Sequence, residues 1–280
     1  MKQHSCKCFI VMSAFVAMIA SFAGANSYAQ PQAPAPQGQP TPAADCSQLP
    51  VLTQRFEADQ KRLQDWPAMA RYRDANSQLA PPAKSEARVI FMGDSITDFW
   101  TDPEYGGFFP GKSYVDRGVS GQTTPQMLVR FRPDVIALQP KVVMILAGTN
   151  DISGNTGPML LGATEDNLAT MAEIARVHDI HVVLASLTPV SDYGHGRDGA
   201  PINQTTRRPP EKILGLNVWI KQYAASNGHT YLDYFSAMVD DQGFLKRELS
   251  ADGLHPNGPG YAVMAPLAEQ AIRAALKKKR

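Results

Sequence analysis

The amino-acid sequence predicts an α/β fold in which a parallel sheet is covered by helices on both faces. Two observations carry this reading. The first is a set of short runs that are apolar at successive positions: "RVIFMG" from Arg88, "KVVMIL" from Lys141 and "HVVLAS" from His181. Such runs suit strands buried on both faces, whereas a half-exposed strand alternates. The second is that stretches with apolar spacings of three and four separate the runs. Strand, helix, strand in alternation is the pattern of crossover units, which keep neighbouring strands parallel.

Taken in order, residues 1–29 have the form of a secretory signal peptide. Lys2 and Lys7 give a basic start, an apolar run extends from Phe9 to Ala23, and Ser27-Tyr28-Ala29 offers a small-x-small cleavage site. The run is shorter than the ~20 residues that span a bilayer, so cleavage is favoured over a retained anchor and no stable membrane insertion is expected. Residues 30–46 form a linker rich in Pro, Ala and Gln, uncharged from Gln30 to Ala44, which has nothing to pack. With the leader gone, Cys46 is the one cysteine left, so the folded part relies on its core rather than on a disulfide.

Residues 47–85 read as a helical segment, with Leu52, Phe56, Leu63, Trp66 and Met69 at helical spacing and a break at Pro67. Two helical pieces packed on the outside of the domain are expected. Residues 86–280 carry the strands: the three runs above, and two weaker segments in "SYVDRGVSG" and "HTYLDYF". Helices are expected near 122–131, 165–178, 210–226 and 258–276. Strand order is not readable from the sequence.

The chain has 280 residues and a formal net charge of +1, which fits one or at most two ordinary domains and gives no basic excess of the kind that binds nucleic acid. In open parallel sheets, ligands bind beyond the carboxyl ends of the strands, so the residues just after each run matter most. "GDSITD" follows the first run and places Ser95 at a strand-to-helix turn, where it is either a helix cap or a nucleophile. "GVSG" places Gly121 where its N–H can approach a ligand or simply make a tight turn. "GTND" presents Asn150, a turn cap or an amide donor to developing negative charge. "DGLHPN", just before the last helix, sets Asp252 three positions ahead of His255, close enough for the acid to orient the imidazole. Each bland reading is adequate alone. Together, a hydroxyl, two donors, a base and an acid at successive element ends supply every part of an acyl-transfer site.

These four segments, in this order between about Arg88 and Ala275, resemble the sequence blocks of the SGNH hydrolases, the GDSL esterase/lipase family. The resemblance implies a flavodoxin-like, three-layer α/β/α sandwich with a five-stranded parallel sheet. It implies Ser95 as nucleophile, Gly121 and Asn150 with the Ser95 N–H as oxyanion donors, and His255 as base held by Asp252. The leucine of the family's name is Ile96 here, which keeps an apolar side chain behind the nucleophile. No metal or organic cofactor is implied.

The reaction expected is hydrolysis of a carboxylic ester, with a small-molecule or glycan ester as substrate in a secreted or periplasmic setting. Short acyl groups, such as those on acetylated carbohydrate, are favoured over long-chain lipids and thioesters. An acyltransferase or a non-catalytic glycan-binding module on the same scaffold are the alternatives. The long polar connection from Ser191 to Pro210 reads as a substrate-binding loop, with Tyr193, His195 and Arg197 as its contacts. Arg207 and Arg208 either face an anionic group or, as the simpler reading, are surface arginines. Asp94 is expected to bond local backbone N–H groups, and Asp98 and Asp151 have no assigned duty. His178 and His181 lie between a helix and a strand with no third ligand in view, which argues against a metal.

Overall fold

Five parallel strands stand side by side in the order β2-β1-β3-β4-β5: β1 Val89–Gly93, β2 Tyr114–Gly118, β3 Val142–Leu146, β4 His181–Ala185 and β5 Thr230–Leu232. The computed structural model describes residues 48–105, 107–195 and 199–278. The leader, the linker with Cys46, and Arg197 lie outside the described residues.

Every position of β1 and β3 is buried, as their unbroken apolar runs require of strands covered on both faces. The two weaker segments are the edge strands. β2 is half-buried over its first three residues and β5 has only three residues, so neither needs an apolar side chain at every position.

The helices are α1 Leu49–Gln64, α2 Arg73–Gln78, α3 Ser95–Asp98, α4 Thr124–Asp134, α5 Thr149–Ile152, α6 Leu161–Val177, α7 Gln204–Arg207, α8 Pro210–Ser226, α9 Phe235–Met238 and α10 Gly258–Lys277. On one face α4, α6 and α8 lie in a row, while α10 crosses β3, β4 and β5. Around β1 and β2 an aromatic cluster extends the packing, with the Phe91 ring 4.9 Å from Phe108 and 5.1 Å from Phe109, and Trp100 stacked 4.9 Å from Tyr261. Tyr261 of α10 donates to the Ile96 carbonyl at 2.9 Å, fastening the last helix to the turn after β1. The four long helices begin within four residues of their expected starts. The start of α4 is set by a capping box of Thr123 and Gln126 with Pro in the first turn.

The N-terminal segment departs from expectation. It breaks where Pro67 predicts, but Leu52, Phe56 and Leu63 of α1 are 54%, 63% and 71% exposed instead of packing on the domain. Helical periodicity marks an apolar face but does not by itself bury it. The residues after the break are fastened instead by polar contacts. Tyr72 bonds the Gly118 carbonyl, Asn76 donates to Asp134 at 2.6 Å and accepts from Arg117 at 2.8 Å, and Arg71 pairs with Asp98 at 3.1 Å.

Strand order reverses at β1: the chain moves out to β2 and returns to the other side at β3. Gly93, the last residue of β1, pairs with Gly118 of β2 and Leu146 of β3. The three loops that follow these strands therefore open into one crevice at the switch point, where open α/β sheets place their ligands.

Candidate active site

Ser95 is the first residue of α3, directly after β1. Asp94 caps this turn by accepting the Ile96 N–H at 2.9 Å, the local bond expected of it. Asp94 is 1% exposed, and burial pushes its carboxyl up to about 6.

His255 arrives from the opposite end of the sequence, yet its Nε2 lies 2.9 Å from Ser95 Oγ. Its Nδ1 lies 2.6 Å from Asp252 Oδ2. Burial alone would raise the Asp252 carboxyl, but the hydrogen bond and charge of His255 outweigh it and hold the group well below the usual carboxylate range. An ionised Asp252 only accepts, so Nδ1 donates to it, which turns Nε2 toward the Ser95 hydroxyl. The His255 ring also packs 5.0 Å from Phe99.

The loop that holds this pair is pinned from several sides. Asp252 Oδ1 accepts the N–H of Leu254 at 3.0 Å and of His255 at 2.8 Å. Gly253 has φ +72°, and a Cβ there would lie 1.9 Å from the Ser191 carbonyl oxygen, so only glycine permits this turn. Asn257 caps α10 through the Gly260 N–H at 3.0 Å, so the last helix starts at Gly258, three residues beyond His255.

On the other side of Ser95, Gly121 takes φ +80°. Neither its N–H nor that of Ser95 finds an acceptor among the described residues. Asn150 is 2% exposed; its Nδ2 donates to the Gln122 carbonyl at 3.0 Å, and the amide carries a second N–H. Two uncommitted backbone donors beside a buried amide form a pocket suited to a developing negative charge.

The aspartates without an expected duty tie these loops together. Asp98 accepts the Ser120 N–H at 3.1 Å. Asp151 accepts the Thr124 N–H at 3.1 Å and also bonds the Thr124 hydroxyl, joining α4 to α5.

Arg208 corrects the sequence reading. It is 3% exposed, not a surface residue. Its Nη2 donates to Asn150 Oδ1 at 3.2 Å, its Nε to Thr149 at 3.1 Å and its Nη1 to Gln204 at 2.7 Å. Burial lowers its guanidinium to about 10, which still leaves it charged at neutral pH. The sequence offers Arg208 only as one of a pair that could face an anion and does not mark Gln204, because neither sits at a strand end nor in one of the four segments.

Of the loop contacts expected, Tyr193 bonds Asp240 at 2.7 Å through its hydroxyl and packs against Phe244. His195 is exposed, and Arg197 is outside the described residues. The loop nevertheless abuts the Asp252 turn, since the Ser191 N–H donates to the Gly253 carbonyl at 2.9 Å. His178 and His181 lie at the amino ends of the strands, opposite the site.

Residues 91–263 match the model of the GDSL-like lipase/acylhydrolase family. A candidate acylhydrolase from Bacteroides fragilis is 39% identical, with a TM-score of 0.69 over 76% of this chain and 99% of that one. A GDSL-like lipase from Bacteroides thetaiotaomicron is also 39% identical, with a TM-score of 0.67 over 75% of this chain and 98% of that one. An uncharacterized lipoprotein of Bacillus subtilis, YqeF, is 30% identical over 86 residues, a match that spans 30% of this chain and 35% of that lipoprotein. With the fold, the four segments and the family model in agreement, the chain belongs to the GDSL-like lipase/acylhydrolase (SGNH hydrolase) family and is a hydrolase acting on ester bonds.

Proposed function

We propose that Ser95, His255 and Asp252 are a catalytic triad that hydrolyses short-chain acyl esters through an acyl-enzyme. The observation that carries this reading is the line of two hydrogen bonds, 2.9 and 2.6 Å, from hydroxyl to imidazole to carboxylate, beside three donors with capacity to spare. His255 Nε2 takes the Ser95 proton as Oγ bonds to the ester carbonyl carbon, and Asp252 stabilises the imidazolium. The N–H groups of Ser95 and Gly121 and the amide of Asn150 hold the oxyanion. The ester C–O bond then breaks and the leaving alcohol takes the proton from His255. Water adds to the acyl group, gives its proton to His255, and releases the acid as Ser95 recovers its own.

The short acyl chain is supported by the buried polar residues that the loops after β1 and β3 and the approach to α8 contribute, Asp94, Thr97, Asn150 and Arg208. The substrate is a small-molecule or glycan ester, with acetylated carbohydrate the favoured class, and the loop carrying His195 and Arg197 forms its outer contacts. The basic-apolar leader pattern and the likeness to a lipoprotein support export to a secreted or periplasmic location. Among the described residues no helix is long and apolar enough to cross a membrane.

Ser95→Ala and His255→Ala variants, assayed on p-nitrophenyl acetate at neutral pH, test the reading. Both should lose at least ~10³-fold in kcat while unfolding at the wild-type urea concentration, by analogy with removal of parts of a serine triad. Wild-type turnover by Ser95→Ala would end the assignment.

A further inference from the structure

A hollow of about 720 Å³ lies beside Gly121 rather than at the triad itself. One wall is the turn that joins α1 to α2, with Asp65, Trp66 and Ala68; the other is the turn after α5, with Ser153, Asn155 and Thr156. The first wall lies outside the segment that matches the family model.

That wall is rigidly set. The Trp66 carbonyl accepts from Gln126 Nε2 at 2.6 Å and the Pro67 carbonyl from Gln122 Nε2 at 2.7 Å. The Asp65 carboxylate takes the N–H groups of Met69 and Ala70 at 2.7 and 2.8 Å. The opposite wall is locked to the oxyanion loop, because Asn155 Nδ2 donates to the Gly121 carbonyl at 3.1 Å and Ser153 donates to Asn155 at 2.7 Å. Trp66 itself is 39% exposed and has no ring or cation partner among the described residues, unlike the stacked Trp100 and Trp219. A tryptophan held out of the core on a fastened turn beside a reactive centre is a binding surface in waiting.

The lining selects the ligand. Apart from Trp66, Ala68 and Val119, every lining residue is polar or glycine, so an alkyl chain would find no continuous apolar wall. A pyranose ring fits both parts: its C–H face is apolar and suits an indole face, and its hydroxyls suit amide and hydroxyl neighbours. We propose that this cleft is a saccharide subsite, in which Trp66 carries a sugar ring of the ester presented to Ser95. The proposal rests on the triad reading and specifies its substrate class.

The test compares wild type, Trp66→Ala and Trp66→Phe on mono-acetylated xylo-oligosaccharides and on p-nitrophenyl acetate. Trp66→Ala should raise KM for the sugar esters ~10-fold, equivalent to about 1.4 kcal/mol. Trp66→Phe should retain most of the affinity, and both variants should keep kcat/KM on the aryl ester within about twofold. An unchanged sugar KM, or equal losses on both substrates, overturns the subsite. Wild-type hydrolysis of the aryl ester alone overturns the subsite and leaves the triad standing, whereas no hydrolysis of either removes both.

A separate observation concerns Arg208. Its buried guanidinium is spent on three neutral oxygens, and no carboxylate lies within ion-pair distance among the described residues. Gln204, which it grips, donates in turn to the Asp252 carbonyl at 3.1 Å. We infer that Arg208 is a positioning residue that fixes the Asn150 amide and places a positive charge behind it. Its charge has no direct ion pair, Asp94 and Asp252 acting on it only from beyond pairing distance, and it gains a closer counter-charge when the oxyanion forms.

A double-mutant cycle reads this role. Arg208→Met should lower kcat ~10²-fold with KM within about threefold, yet cost little more when added to Asn150→Ala. Arg208→Lys, which keeps the charge but not the fork, should fall between. Additive losses, or wild-type kcat in either single variant, overturn the inference. If Arg208→Met does not fold, the same comparison is made with Arg208→Lys in its place, where additivity with Asn150→Ala again overturns the inference and non-additivity upholds it.

Discussion

Single residues decide whether this crevice reacts. Asn150 sits with one N–H committed to Gln122 and its oxygen to Arg208, so Asn150→Ala should lower kcat by ~10²–10³ while leaving the fold intact, checked by kinetics beside thermal unfolding. Asp94 makes a different prediction. Its unfolded carboxyl ionises near 3.8, and burial raises the folded one to about 6. Between those values the unfolded chain has released a proton that the folded chain keeps, so stability falls as pH rises through the window. Asp94→Asn should therefore remove on the order of 2–3 kcal/mol of pH dependence, seen as a flatter urea-unfolding profile from pH 4 to 7. An unaltered profile would count against it. Sequence could not foresee Arg208, since burial of an arginine depends on neighbours 58 positions away.

Elements position those residues, and they were unequally legible. The central strands were plain because burial on both faces forces an unbroken apolar run. The edge strands were faint because half-exposure relaxes that demand. Periodicity found α1 but not its exposure, since spacing reports an apolar face and not the presence of a partner. The spacing of Asp252 and His255 allowed the two to meet within one turn without requiring it, and the dependence of that turn on Gly253 was not readable. Gly253→Ala must either lose φ +72° or meet Ser191. It should destabilise the protein by ~3 kcal/mol or more and lower activity with it, measured by urea unfolding and aryl-ester turnover. A stable, fully active Gly253→Ala protein would show that the turn does not set the pair.

For the molecule as a whole, the sheet order converts four distant segments into one site. Ser95 and His255 are separated by 160 positions, and the reversal of strand order at β1 is what lets the β1, β2 and β3 loops share the crevice that His255 enters. The proposed chemistry could be read because its residue types stand just after β1, β2 and β3 and just before α10; the cleft walled by Trp66 could not, because it is assembled from turns without a shared pattern. The proposed triad requires a covalent intermediate at Ser95. Brief reaction with p-nitrophenyl acetate, acid quenching and peptide mapping by mass spectrometry should find one acetyl group on Ser95, in greater amount when His255→Ala slows deacylation more than acylation, and none in Ser95→Ala. Turnover with no acyl group on Ser95 in any of these samples, or acylation at another residue that persists in Ser95→Ala, would contradict it.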